Sequence, residues 1–154
     1  MALWVVTAVV FTALAVASMF RVRFAYIAFV LLGVLWMPAR AGFRLAPEDC
    51  ETALSLPLAL HSLTNYKHIV LFTIFAVMTL AQFRPDDRWR FAKLALIVLG
   101  MTIAVEGEQA LFGAGHCRVR DLVPNVAGSL VGASIVEGVL AVRRRRRGSP
   151  ARSS

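Results

Sequence analysis

Residues 106–132 read EGEQALFGAGHCRVRDLVPNVAGSLVG, a run in which E-x-x-Q is followed by D-x-x-x-N-x-x-G-x-x-x-G inside otherwise apolar sequence. If the second half is helical, Asp121, Asn125, Gly128 and Gly132 fall on one face, because their spacing follows the helical repeat. Glu106 and Gln109 share a face in the same way. A carboxylate at the centre of a bilayer costs roughly 2.5–3.5 kcal/mol on the insertion scale, so an acid within a membrane helix faces the bundle interior and marks a site.

Working outward, the chain of 154 residues is 58% hydrophobic and 17% charged, too apolar and too blocked for an ordinary water-soluble domain. Five apolar segments can be drawn, over 2–20, 24–37, 66–83, 91–112 and 121–142. A bilayer crossing takes about 17–25 helical residues, so 24–37 is short; it borrows Val22 and Arg23 by snorkelling or is re-entrant. The expected fold is all-α, a polytopic integral membrane helix bundle with five transmembrane helices, with four as the alternative. The expected organisation is one membrane domain over 1–142 and a basic disordered cytoplasmic tail over 143–154. Ala15-Val16-Ala17 looks like a signal cleavage site, but Arg21 and Arg23 follow the first apolar run and no positive charge precedes it, which favours a retained helix.

The net charge of +8 does not point to nucleic acid, because the 17 Lys and Arg lie beside apolar blocks instead of interleaving with aromatics on a soluble face. They read instead as topology. Loops rich in Lys and Arg stay cytoplasmic. With the C-terminus inside, Arg21, Arg23, Arg84, Arg88, Arg90, Lys93, Arg152 and the run 143–147 are cytoplasmic. Arg40, Arg44, Lys67, Arg118 and Arg120 remain outside. The loop 38–65 is then extracytoplasmic, and its apolar patch 54–60 either lies along the membrane interface or packs over the bundle.

This orientation brings the start of the third apolar segment, the end of the fourth and the start of the fifth to one side. Lys67, His68, Glu106, Gln109, Asp121 and Asn125 therefore form the candidate ligand-binding set. Each also has a plainer reading. Asp121 can N-cap the last helix, with Pro124 tolerated in its first turn. Lys67 can snorkel at a helix end, and Glu106 can belong to a packing network. Gly128 and Gly132 are helix-packing residues, either within the chain or, in an accessory subunit, against another chain. His61 reads as a loop histidine, and the three histidines lack metal-ligand spacing, so neither a metal nor a cofactor is expected. Cys50 and Cys117 both fall in extracytoplasmic loops, where a disulfide between them is allowed. His116, Cys117 and Arg118 are contiguous, which is not the geometry of a thiol nucleophile with a separate base.

In pattern and order these residues resemble the VanZ-like family, named for a protein associated with teicoplanin resistance. The resemblance lies in Lys67-His68 with Phe72, Glu106-x-x-Gln109 with Phe112, and Asp121-x-x-x-Asn125-x-x-Gly128-x-x-x-Gly132, within about 64–136. The chain departs from that family at Asn65-Tyr66, where an Asp usually precedes the Lys-His pair. It departs again at Gly115-His116-Cys117-Arg118, where the family usually carries an Arg after Pro-Gly. The resemblance implies a multi-pass protein of the bacterial inner (cytoplasmic) membrane that binds or handles a lipid-linked wall precursor or a lipoglycopeptide at the outer leaflet, as in glycopeptide resistance. Its expected partners are membrane lipids or that precursor, with a homo-oligomer or envelope complex as a further expectation. The alternatives are a membrane-embedded enzyme using Glu106 or Asp121 as general base on a lipid headgroup, although the motifs of type 2 phosphatidic acid phosphatases are absent, and an accessory subunit of an envelope complex.

Overall fold

The computed structural model describes residues 2–113 and 117–148 and is all-helical, with no strand among the described residues. Its elements are α1 (Ala2–Met19), α2 (Arg23–Arg40), α3 (Leu56–Ser62), α4 (Tyr66–Ala81), α5 (Arg90–Phe112) and α6 (Leu122–Gly148). A 3₁₀ turn, Val119–Asp121, leads into α6.

The long helices match the five apolar segments, with informative differences at their ends. α2 starts at Arg23 and carries Pro38 inside its last turn, so the segment that looked short forms an 18-residue helix. At 1.5 Å per residue it is about 27 Å long. The patch 54–60 supplies α3, whose N-cap Ser55 accepts a hydrogen bond from the backbone of Leu58. α3 is bent by 70° from α4. α6 does not stop at residue 142 but continues to Gly148, so the expected tail begins as helix. Arginine is a good helix former, and cations near a helix C-terminus are favoured by the helix dipole. The rest of that tail, 149–154, lies outside the described residues, as does His116.

α5 and the last helix are long and apolar enough to cross a membrane, and the bent α3–α4 pair makes a third if counted as one span. α1 and α2 are apolar but contain shorter windows, Trp4–Met19 and Arg23–Trp36. Large apolar side chains point outward on every long helix, among them Val9, Leu31, Leu71, Leu96, Ile103 and Leu130. The interior holds a small apolar cluster, Phe72, Phe75, Ala76, Leu80, Leu94 and Val98, beside buried Thr79, Thr102, Gln109, Asp121 and Asn125. Apolar outside with polar groups within is the reverse of a water-soluble helix bundle, and it is compatible with a membrane protein.

The dominant packing is α4 against α6. Gly128 lies directly on the backbone carbonyl of Ile69, where a Cβ would collide with it. One turn on, a Cβ at Gly132 would lie 2.6 Å from the Thr73 carbonyl oxygen and 2.8 Å from Ala76 Cβ. Thr73 Oγ1, 2.7 Å from its own helix's Ile69 carbonyl, also lies 3.0 Å from the Gly128 carbonyl across the interface. The two glycines are therefore used inside the chain, which removes them as the intermolecular face of an accessory subunit. At the opposite end of α4 and α6, Tyr26 shares a hydrogen bond of 3.0 Å with Thr79, and Gln82 donates to the Ser18 carbonyl at 2.8 Å, holding α1 and α2 to α4. Buried Arg90 pairs with Glu137 there and ties α5 to α6.

Gly128→Ala is expected to destabilise the folded bundle by about 1–3 kcal/mol, the range for overpacking a close contact. Gly138→Ala, where a Cβ meets nothing within 4 Å, should be neutral or stabilising. Thermal unfolding of both variants in detergent checks the contrast, and equal melting temperatures would show that α4 and α6 do not approach this closely.

Candidate functional site

The polar site lies where α4 begins, α5 ends and α6 begins. Its centre is Asn125, 1% exposed, whose side chain bridges the three helices. His68 Nδ1 lies 2.8 Å from Asn125 Oδ1, and Asn125 Nδ2 donates to Thr102 Oγ1 at 3.2 Å. Since Oδ1 can only accept, the imidazole carries its proton on Nδ1. Ser129 Oγ closes the next turn of α6 by donating to the Asn125 carbonyl at 2.8 Å.

One turn beyond Thr102 on α5, Glu106 faces the same region. Its Oε2 accepts from the backbone N–H of Arg118 at 2.8 Å, while its Oε1 is buried without a hydrogen-bond partner among the described residues. Gln109, on the same face, also has an unfilled buried Oε1. Glu106 sits within the electrostatic reach of Asp121, His68 and Arg118. Asp121 is 8% exposed and its carboxylate forms no side-chain hydrogen bond among the described residues, so it does not cap α6. The 3₁₀ turn supplies the reason. Asp121 is the last residue of that turn, its N–H on the Arg118 carbonyl at 2.9 Å, and the helical backbone runs on through Leu122, so Asp121 lacks the extended conformation of a cap.

The cover over this site is built from backbone. The last turn of an α-helix leaves carbonyls without intrahelical partners. Here Ala46 N–H donates to Leu111 O at 3.0 Å and Glu48 N–H to Ala110 O at 2.8 Å, so the loop after α2 caps α5. Gly113 ends α5 at φ +58, with its N–H on the Gln109 carbonyl. A Cβ there would crowd the Ala46 oxygen at 3.0 Å. Glu51 exchanges backbone bonds with Cys117 and Val119, at 2.9 and 3.1 Å. Its carboxylate reaches Arg118 at 3.4 Å and Arg120 at 2.9 Å. Cys50 and Cys117, 67 residues apart in sequence and 4.7 Å apart at Cα, are disulfide-bonded. This staple holds residues 117–119 against α5, which delivers the Arg118 amide to Glu106.

Between α5 and α6 runs an apolar groove of about 330 Å³, lined by Leu94, Val98, Leu122, Val126 and Leu130, with Ser129 as its polar member. Thr102 lies one turn beyond the lining residue Val98 on α5, and Asn125 lies between the lining residues Leu122 and Ser129 on α6. Apolar clefts of about 300–1,000 Å³ with a few placed polar groups are the usual form of small-molecule sites.

Of the candidate residues, the structure brings His68, Glu106, Gln109, Asp121 and Asn125 to one end of the bundle. Lys67 is not brought in: it is exposed and takes part in no hydrogen bond or ion pair among the described residues. It falls one position from His68, about 100° around the helix, so both cannot face α6. Arg118 forms an ion pair with Glu51 at 3.4 Å, while its buried Nε makes no hydrogen bond among the described residues. His61 is exposed in α3. Among the described residues no three His, Cys, Asp or Glu side chains converge as a metal-binding group. Two contributors escaped the sequence reading. Thr102 was legible as the residue four before Glu106; Glu51, a loop acid 67 residues before Arg118, had no local signal. Glu108, buried with one unfilled carboxylate oxygen, lies off the Glu106–Gln109 face.

Comparison with protein-family models, with characterised proteins and with solved structures finds no match to this chain.

Without reductant, the unfolded protein is expected to give no reaction with a thiol reagent, and two thiols after reduction. Reduction should also lower stability by about 2–4 kcal/mol. Two reactive thiols in the untreated protein would mean that the cover over Glu106 is not stapled.

Proposed function

We propose that this chain is a five-crossing protein of the bacterial cytoplasmic membrane that binds or handles a lipid-linked wall precursor or lipoglycopeptide at the outer leaflet, in the manner its VanZ-like motif implies. The apolar outer faces and the aromatic residues near the helix ends support membrane placement: Trp4 packs edge-on against Trp36 at 5.7 Å at one end, and Arg88 lies over the Trp89 ring at the other. Twelve of the 17 Lys and Arg fall on the side that carries the C-terminus, which supports a cytoplasmic C-terminus.

The observation that carries the reading is the pair of buried, unfilled acceptors, Glu106 Oε1 and Gln109 Oε1, beside the Asn125 network. Leaving a buried acceptor unpaired costs about 1–3 kcal/mol, so such a site gains by receiving donors. With His68 bound to Asn125, Lys67 turned away and Arg118 ion-paired with Glu51, the cluster offers two unfilled acceptors, Glu106 Oε1 and Gln109 Oε1, against one unfilled cationic donor, Arg118 Nε. That suits the hydroxyl and amide donors of a sugar–peptide headgroup better than a bare phosphate. The α5–α6 groove next to it suits an apolar chain.

One feature favours a second reading. Glu106 has one oxygen held by the Arg118 amide and one free, beside Asp121, which is an arrangement a general base on a lipid headgroup also needs.

Native mass spectrometry of the gently purified protein is expected to show an envelope lipid bound to the unmodified chain and lost from Glu106→Gln and Asp121→Asn. Equal retention by folded variants, or no lipid in any of them, would return the polar cluster to a packing role. Conversion of the bound lipid by the unmodified chain alone would favour the enzyme. A reporter active only in the cytoplasm, fused after Ser154, is expected to be active; a silent cytoplasmic reporter with an active periplasmic one would invert the topology.

A further inference from the structure

At the other end of the bundle the chemistry is reversed. The α1–α2 turn, the loop after α4 and the last turns of α6 enclose a cleft of about 570 Å³, lined by Arg21, Arg143, Arg144, Phe20, Leu140 and Pro85. It adjoins a second cleft of about 280 Å³ that shares Arg21 and Arg143 and extends to Arg90. Three arginines thus line a space large enough for a small molecule.

Among the described residues no acid neutralises their charges. The acids at this end are Asp86, Asp87 and Glu137, and each already has a cation: Arg84, Lys93 and Arg90 respectively. Among the described residues, Arg21, Arg143 and Arg144 form no ion pair. Arg21 donates only to the Phe83 carbonyl, at 3.2 Å. Arg21 also occupies a left-handed backbone position, φ 65, closing α1 where glycine is usual. A non-glycine residue there costs about 1–3 kcal/mol, a strain that concentrates at functional positions. Arginine's planar fork binds phosphate oxygens in pairs, which makes a converging group of arginines a phosphate-recognition arrangement.

The cleft walls decide the source of that phosphate. Phe20, 79% exposed, and Leu140 join the arginines to the apolar outer surface of α1 and α6. A soluble anion uses only the guanidinium groups, whereas a lipid also covers the apolar wall. We propose that Arg21, Arg143 and Arg144 form a binding site for the phosphate headgroup of an anionic membrane lipid at the arginine end of the bundle. Basic pockets between membrane helices on the cytoplasmic side recognise such headgroups. The site uses membrane embedding but not the identity of any ligand at the Asn125 end.

The test is native mass spectrometry of the full chain from micelles doped with phosphatidylglycerol or with zwitterionic phosphatidylethanolamine. Phosphatidylglycerol is expected to remain bound under activation that strips phosphatidylethanolamine. Arg143→Gln/Arg144→Gln should weaken its binding by at least about tenfold, the scale of a hydrogen bond to a charged group. The charge-matched pair Arg145→Gln/Arg146→Gln, outside the cleft, should change it by less than about twofold. Arg21→Asn, which keeps a residue at home in the left-handed region, gives a second variant and should weaken binding in the same way. Asp121→Asn should leave it unchanged, whatever happens at the outer site. Equal weakening by both arginine pairs, equal retention of the two lipids, or binding of inorganic phosphate by the cleft without binding of the lipid would each overturn the proposal.

Discussion

The architecture depends on how closely α6 approaches α4. At Gly128 and Gly132 the two backbones come near enough that a methyl group does not fit, and Thr73 reaches across the gap toward the Gly128 carbonyl. Within a bilayer there is little hydrophobic drive between helices, so close van der Waals packing and interhelical hydrogen bonds must hold them. The same approach has a functional consequence. It places His68 on α4 opposite Asn125 on α6, and Asn125 then reaches Thr102 on α5. Without the glycines the helices stand further apart and no single side chain bridges all three.

A second constraint is the unequal spacing of the helices. α6 is pressed onto α4 but only lightly against α5, which is held to it at one end by Arg90–Glu137 and near the other by Asn125–Thr102. Between those polar ties lies the apolar groove. Packing that is tight on one side of α6 therefore leaves a cleft on the other, and its upper end lies one turn from the polar network. The disulfide and the Glu51 contacts complete the arrangement from above, because they hold a loop amide at Glu106 instead of leaving that end open.

The two ends of the bundle offer opposite chemistry. Among the described residues, one presents the unfilled acceptors of Glu106 and Gln109; the other presents Arg21, Arg143 and Arg144, which form no ion pair. This polarity follows from where charge can be placed cheaply. Arginines at a bundle end reach water and headgroups, while carboxylates among helices need either donors or a function.

Much of this was legible in the chain. Apolar run lengths gave the helices, since a helix satisfies its own backbone and an apolar run needs only the 3.6-residue repeat to form one. Cation placement indicated which ends lie together, and the spacing of Asp121, Asn125, Gly128 and Gly132 marked a shared face. The tertiary structure decided what local spacing does not encode. Lys67 and His68 are neighbours in sequence, but the angle of one residue around α4 points only His68 at α6. Asp121 looked like a cap, but the 3₁₀ turn before α6 holds it inside a helical turn instead of the extended conformation a cap needs. The glycines suited either an internal or an external partner until α4 occupied them. Glu51 and Cys50 found residues 117–120 across a separation that no periodicity spans. Helix formation is set by near neighbours along the chain. Which polar atoms are left wanting a partner is set by everything that packs around them, and that is known only once the helices have met.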